Sequence, residues 1–175
     1  MNIRPATAGD VVAIQRAMAP HLSTGALLPR RVTPHRFTIA EDHQGHLLGA
    51  VALEPWSVGV VELGSLVATR PGRGVGRALT RAATDLAARR GFQQIVALTH
   101  LVGFFGRSGF ATSPTAPWAF ARRAGAQAED EAPTALVDAI AHKSLACAGC
   151  ARLQGCQQTL MVRQLSAFPA QRVCA

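Results

Sequence analysis

The run Arg70-Pro71-Gly72-Arg73-Gly74-Val75-Gly76-Arg77-Ala78-Leu79 constrains this chain more than any other stretch. An apolar segment, residues 58–67, leads into it, and an alanine-rich segment with helical periodicity, residues 75–90, leads out. The glycines therefore fall between a strand and the first turn of a helix. Gly72, Gly74 and Gly76 have no Cβ, so a ligand can come close to the backbone. The first N–H groups of a helix have no internal partner and mark the positive end of its dipole. Arg70, Arg73 and Arg77 add charge. A turn of this kind cradles phosphate.

Spacing narrows the choice of phosphate. A P-loop ends in Gly-Lys-Ser/Thr, and no lysine follows here; Lys143 is the single lysine of the chain. A dinucleotide fingerprint has the spacing Gly-x-Gly-x-x-Gly, with an acid roughly 20 residues later, and the glycines here do not fit it. The segment instead resembles the pyrophosphate loop of the GNAT acyltransferases, Arg/Gln-x-x-Gly-x-Gly/Ala. Gly74-x-Gly76 matches its end. The Arg/Gln position falls on Pro71, with Arg70 one residue early, as a loop shortened by one residue would give. The resemblance implies acetyl-CoA as co-substrate. Its binding set would be Leu66, Val67, Arg70, Gly72, Arg73, Gly74, Val75, Gly76 and Arg77.

The 175 residues make one domain, residues 1–165, followed by a tail, 166–175. No apolar run approaches the ~20 residues of a membrane span. Met1-Asn2-Ile3-Arg4-Pro5 lacks the apolar core of a secretory leader, so a cytoplasmic protein is expected. The net charge of +8 suits a polyanionic ligand such as CoA. Nucleic acid is not expected, because no basic block or interleaved aromatic pattern accompanies the charge.

In chain order the pattern predicts a strand at 2–4 and a helix start at Thr7-Ala8-Gly9-Asp10. Val11, Ile14 and Met18 form a buried stripe on a helix that stops before Pro20. Strands at 37–41 and 47–53 form a hairpin around Asp42-His43-Gln44-Gly45. The longest strand, 58–67, delivers the glycine loop. After the helix come a strand at 94–98, a short helix at 101–107, extended chain at Gly109-Phe110 and a last strand at 160–165. Residues 114–141 break the pattern and read as a surface insertion, with a helix at 134–141 inside it. The order β-α-β-β-β-α-β-α-β is that of the GNAT fold, an α/β (α+β) architecture whose mixed, twisted sheet splays between its fourth and fifth strands.

A closer resemblance rests on several pieces in order. They are Ile3-Arg4-Pro5-Ala6-Thr7 with Asp10, Leu28-Pro29-Arg30, Glu62-Leu63-x-Ser65-Leu66, the glycine loop, Leu98-Thr99, Phe104-Phe105-x-Arg107-x-Gly109-Phe110, and Cys147-x2-Cys150-x5-Cys156. Together they are similar to the single-domain bacterial N-acetylglutamate synthases, over about residues 1–113 and 142–165. Gly106, and Gln157-Gln158 after Cys156, stand where that family carries acids. The resemblance implies an acetyltransferase acting on the amino group of an amino acid, L-glutamate, in arginine biosynthesis. A homodimer is compatible with it.

Transfer to an amine needs a proton acceptor, donors to the developing oxyanion and a stabilised leaving thiolate. Glu62 is the candidate base: it alternates with Val60 and Leu66 along an otherwise apolar strand, a costly place for an idle carboxylate. The amides of Leu66 or Val67 would polarise the thioester carbonyl if a bulge opens there. The chain contains no tyrosine to serve the thiolate. By the family resemblance Thr99 takes that part; it reads equally well as a helix cap, and His100 beside it suits either role. Arg30 matches the family's carboxylate-binding arginine, with Arg31 as the alternative reader. Arg107 fits either a ligand or a helix-end ion pair. Cys147, Cys150 and Cys156, with His142, have the chemistry for zinc but equally that of free thiols.

Overall fold

A computed structural model describes residues 1–23, 27, 31–113 and 158–166. The strands are β1 (Asn2–Pro5), β2 (Phe37–Glu41), β3 (Leu47–Ser57), β4 (Val60–Ala68), β5 (Gln94–Thr99), β6 (Ala111–Thr112) and β7 (Thr159–Gln164). The helices are α1 (Val11–Ser23), α2 (Val75–Arg89) and α3 (Val102–Gly106), with single 3-10 turns at Ala8–Asp10 and Pro34–Arg36. The insertion expected at 114–141, its helix, the cysteine cluster with His142 and the C-terminal tail beyond Ser166 all lie outside the described residues, as does Arg30.

All seven strands join one sheet in the order β1-β2-β3-β4-β5-β7-β6. Every neighbouring pair is antiparallel except β4 and β5, which run parallel. That parallel pair holds over Val60–Glu62 against Gln94–Val96 only. Beyond Glu62 the strands part: β4 runs on to Ala68 along β3, while β5 runs on to Thr99 along β7. This is the expected splay.

Helices cover both faces. Val75, Leu79, Ala83 and Ala87 of α2 pack on Val51, Leu53, Val61, Leu63 and Ile95. Ile14 and Met18 of α1 pack on Phe37, Ile39, Ala50, Ala52 and Val67. The helix start is built as its sequence suggests. Asp10 accepts from the Thr7 backbone N–H at 2.7 Å and from the Thr7 hydroxyl at 2.8 Å. Arg4 on β1 clamps the same carboxylate at 2.8 and 3.0 Å and reaches Glu41 on β2 at 2.9 Å. These contacts hold the Asp10 and Glu41 carboxyls below the usual carboxylate range.

Several boundaries differ from expectation, among them the extended chain expected at Gly109-Phe110, which forms β6 at Ala111–Thr112. Three differences have a clear physical reason. α1 continues through Pro20 to Ser23. Proline removes one intrahelical donor near the end of the helix, and the C-terminus is tied down from outside, where the His21 carbonyl accepts the Leu27 N–H at 3.1 Å. β3, not β4, is the longest strand, and it runs through Pro55 to Ser57. Its pairing with β2 ends at Phe37–Ala52, so Pro55 lies where only β4 flanks the strand, the setting in which a strand tolerates proline. Val58 belongs to the turn rather than to β4: Ser57 pairs with Val60, leaving Val58-Gly59 as a two-residue loop with Gly59 at φ +83°.

Candidate active site

β4 carries a bulge at the splay. Ala52 pairs with Gly64 and Ala50 with Val67, so two residues oppose Val51. Ser65 takes φ +50°, the one left-handed non-glycine among the described residues. The extra residue reverses the alternation. Val61 and Leu63 face the α2 core, yet Val67, an even step further on, faces α1, and Leu66 packs against the α2 core. Leu66 is thus turned away from the face that Glu62 shares with Val60, correcting the simple alternation read from the sequence. The bulge also opens the β4 backbone at Leu66 and Val67 beside a strand edge with no β5 partner.

A cavity of about 390 Å³ fills the splay. Glu62 and Thr99 both line it, with the bulge from Gly64 to Leu66, His100, and His21 at the end of α1. Leu98, Leu101 and Phe105 give it an apolar wall. Glu62 is only 4% exposed, and a carboxylate so buried needs a hydrogen-bond partner. The Trp56 indole N–H supplies one, at 3.0 Å from Glu62 Oε2. Sequence reasoning passed over Trp56. Its signal was the two-residue loop that folds β3 back on β4, which brings position 56 diagonally opposite position 62.

Thr99 is buried, and its Oγ1 accepts the Leu101 N–H at 2.9 Å. Thr99 is not the cap of α3, which begins at Val102 with Leu101 as its N-cap and no side-chain cap bond. The Thr99 bond closes a local turn ahead of the helix, and accepting through oxygen leaves the O–H as a donor. Arg31 and Arg107 are exposed and do not line the cavity. The described residues contain no cluster suited to a metal ion.

The glycine loop follows β4 directly. Arg70 to Gly74 are exposed, and burial resumes at Val75. Gly72 has φ +83° and Gly74, the residue capping α2, φ +76°; a Cβ at either would meet nothing within 4 Å. The turn therefore needs glycine for its backbone and leaves open space above it, which fits a pyrophosphate. Gly76 lies inside the first turn against Phe104, where a Cβ would make an ordinary 3.5 Å contact. Arg73 and Arg77 are exposed beside the loop.

A sheet split at one parallel pair, with a glycine turn leading into a helix at one side and a buried carboxylate within the split, defines an acyltransferase that works on a CoA thioester. The model of the acetyltransferase (GNAT) family matches residues 13–110, more than half of the chain, and the chain belongs to that family. Acetyl-CoA is the co-substrate of that family.

Among solved structures, the chain is 25% identical to N-acetylglutamate synthase from Neisseria gonorrhoeae complexed with coenzyme A and N-acetyl-glutamate, with TM-score 0.67. That match covers 94% of this chain but 35% of the synthase, so the chain spans about a third of its length. Rv2747 from Mycobacterium tuberculosis, in complex with CoA, is 20% identical over 95% of this chain and 100% of its own, with TM-score 0.69. The Salmonella typhimurium protein yncA, with its cofactor acetyl-CoA, is 20% identical over 99% of each chain, with TM-score 0.61. No curated protein matches. Among the described residues, no helix is long and apolar enough to cross a membrane.

Proposed function

We propose that this acetyltransferase acts on the amino group of a free amino acid, L-glutamate, making N-acetylglutamate and CoA. The observation that carries the reading is the cavity at the splay, which gathers the Glu62 carboxylate, the Thr99 hydroxyl and the bulged backbone of β4 within one space. The likeness to the Neisseria synthase supports the choice of acceptor.

In this mechanism Glu62 takes a proton from the acceptor ammonium, directly or through one water. The freed amine attacks the thioester carbonyl. The amide of Leu66 or of Val67 donates to the oxygen as it gains charge. As the adduct collapses the C–S bond breaks, the Thr99 O–H hydrogen-bonds the departing thiolate, and the second proton of the attacking nitrogen passes to that sulfur, giving the amide and CoA. Gly72, Gly74 and the first-turn amides from Val75 to Arg77 hold the pyrophosphate, with Arg70, Arg73 and Arg77 adding charge. Arg30 pairs with a glutamate carboxylate.

A second reading has its own support. No arginine or lysine lines the cavity among the described residues, and Leu27, Leu98, Leu101 and Phe105 do. An apolar wall favours an acceptor without a second carboxylate, such as a peptide N-terminus. Thiol release from acetyl-CoA, measured with each of the twenty amino acids and with short peptides, separates the two. Fastest turnover with glutamate sustains the first; turnover with peptides alone replaces it with the second.

A further inference from the structure

We infer that Trp56 is a positioning residue for the base, holding the Glu62 carboxylate ionised and aimed into the cavity; this rests on Glu62 being the proton acceptor. Trp56 donates its indole N–H to Glu62 Oε2 at 3.0 Å. It is half-buried and packs against Val60, Val96 and Leu160, on the face of the sheet that carries Glu62. Glu62 lines the cavity, whereas Trp56 is not among the residues that do. The indole therefore approaches the carboxylate from behind the wall and acts through it.

The placement follows from the β3–β4 hairpin. Glu54 pairs with Glu62 and Pro55 with Val61, but Ser57 pairs with Val60, so Trp56 is the extra residue of a second bulge. A bulge re-aims a side chain relative to the regular ladder, and here it belongs to the residue that reaches the base. A donor to a carboxylate favours its charged form. An indole N–H donates and never accepts, so it cannot take the proton that Glu62 is to receive.

Other charged groups face Glu62 and bear on its protonation. Glu54 lies directly across the ladder and is ion-paired with Arg36 from the 3-10 turn before β2. His21 and His100 stand on the cavity wall. Like charges directly opposite on a sheet disfavour each other, and here the ion pair with Arg36 offsets the charge that Glu54 would set against Glu62.

The test is the pH profile of kcat/KM for the wild-type enzyme, for Trp56→Phe, and for an enzyme in which benzothienylalanine replaces Trp56. The last keeps the fused ring and puts sulfur in place of N–H. Loss of a hydrogen bond to a charged group should move the acidic limb to higher pH by roughly one unit. Activity then falls about tenfold on the acid side, recovers at high pH, and KM for acetyl-CoA holds. The same shift in a His100→Gln background excludes that imidazole as its source. An unmoved limb in the folded benzothienylalanine enzyme overturns the proposal, as does a uniform fall in kcat at every pH. Glu62→Gln distinguishes the underlying reading: if that variant keeps the limb, Glu62 is not the base and both readings fall; if it loses the limb while Trp56 replacement leaves it in place, only the Trp56 proposal falls.

Discussion

Gly49 on β3 lies so close to Val67 on β4 that a Cβ at Gly49 would stand 2.5 Å from the Val67 carbonyl oxygen. The same atom would stand 2.9 Å from Val75 and 3.0 Å from Leu79, in the first turns of α2. The strand edge at the bulge and the start of the helix behind the glycine loop are thus set against one another by a missing methyl group. Gly49→Ala should destabilise the fold by about 1–3 kcal/mol, the range for overpacking. Urea denaturation measures this; an unchanged midpoint would mean that the contact relaxes freely.

The Arg4 clamp predicts an acid-sensitive contribution. Hydrogen bonds from Arg4 are the first cause of the lowered pKa values of Asp10 and Glu41. A carboxyl with a depressed folded pKa adds stability that is complete above its unfolded value. That stability drains away as pH falls through the folded one. Asp10→Asn should therefore lower the thermal midpoint at neutral pH, and the gap to wild type should narrow as pH drops from about 4 toward 2. Added salt should shrink it too, because the ion pairs are partly exposed. A gap that is constant with pH would rule the clamp out as its source.

Glu62→Gln should lower kcat by roughly 10²–10⁴, as expected for a general base, and leave the dissociation constant for CoA unchanged. Stopped thiol-release assays and calorimetric CoA titration report the two quantities. Full turnover by the variant across the pH range would remove Glu62 from the chemistry.

Gly74 and Gly91 form a matched pair for testing the cradle. Both have φ near +80° and open space where a Cβ would go, but Gly74 precedes α2 and Gly91 follows it. Alanine at either should cost about 1–2 kcal/mol of folding stability through left-handed strain. Only Gly74→Ala should also weaken CoA binding. Equal CoA affinity in the two variants would dissociate the loop from the pyrophosphate.

Arg30→Ala should raise KM for glutamate by one to several decades, since truncating one partner of a buried charged pair costs about 2–5 kcal/mol. KM for acetyl-CoA should not move. Arg30→Lys should recover part of the loss, because an ammonium lacks the bidentate fork. Arg31, which is exposed, serves as the control. Damage from Arg31→Ala instead would shift the reader by one residue, and damage from neither would point away from a dicarboxylic acceptor.

Local signals carried most of the fold. Thr7 with Asp10, the turn at Asp42–Gly45, the stripe from Val75 to Ala87 and the glycine loop each specify their element through bonds or burial within a few residues. Failures came where a distant neighbour decides. Pro20 reads as a stop, yet α1 carries on because Leu27 caps it from outside. Pro55 reads as a strand end, yet it is tolerated because β2 has already stopped. Glu62 was legible as a lone carboxylate on an apolar strand and Thr99 only through the family resemblance, but their common cavity depends on where β4 and β5 part. The parity switch at Ser65 had no signal in residue type, since neither Gly64 nor Ser65 announces a positive φ on the second of them. Trp56 required the exact hairpin register.

The splay also divides labour between stretches of chain that can be exchanged separately. Everything proposed to hold the pyrophosphate and the thioester carbonyl hangs on β4 and the start of α2, braced from behind by Gly49. The opposite rim is the end of α1 with Leu27, joined to the sheet's first half through β1 and β2. A graft of residues between α1 and β2 from another member of the family would alter which amine is admitted and leave the coenzyme cradle in place. An engineer seeking new acceptors has in this chain one short stretch to vary, provided that Val32, buried in the α1 core, and Arg36, paired with Glu54, are kept.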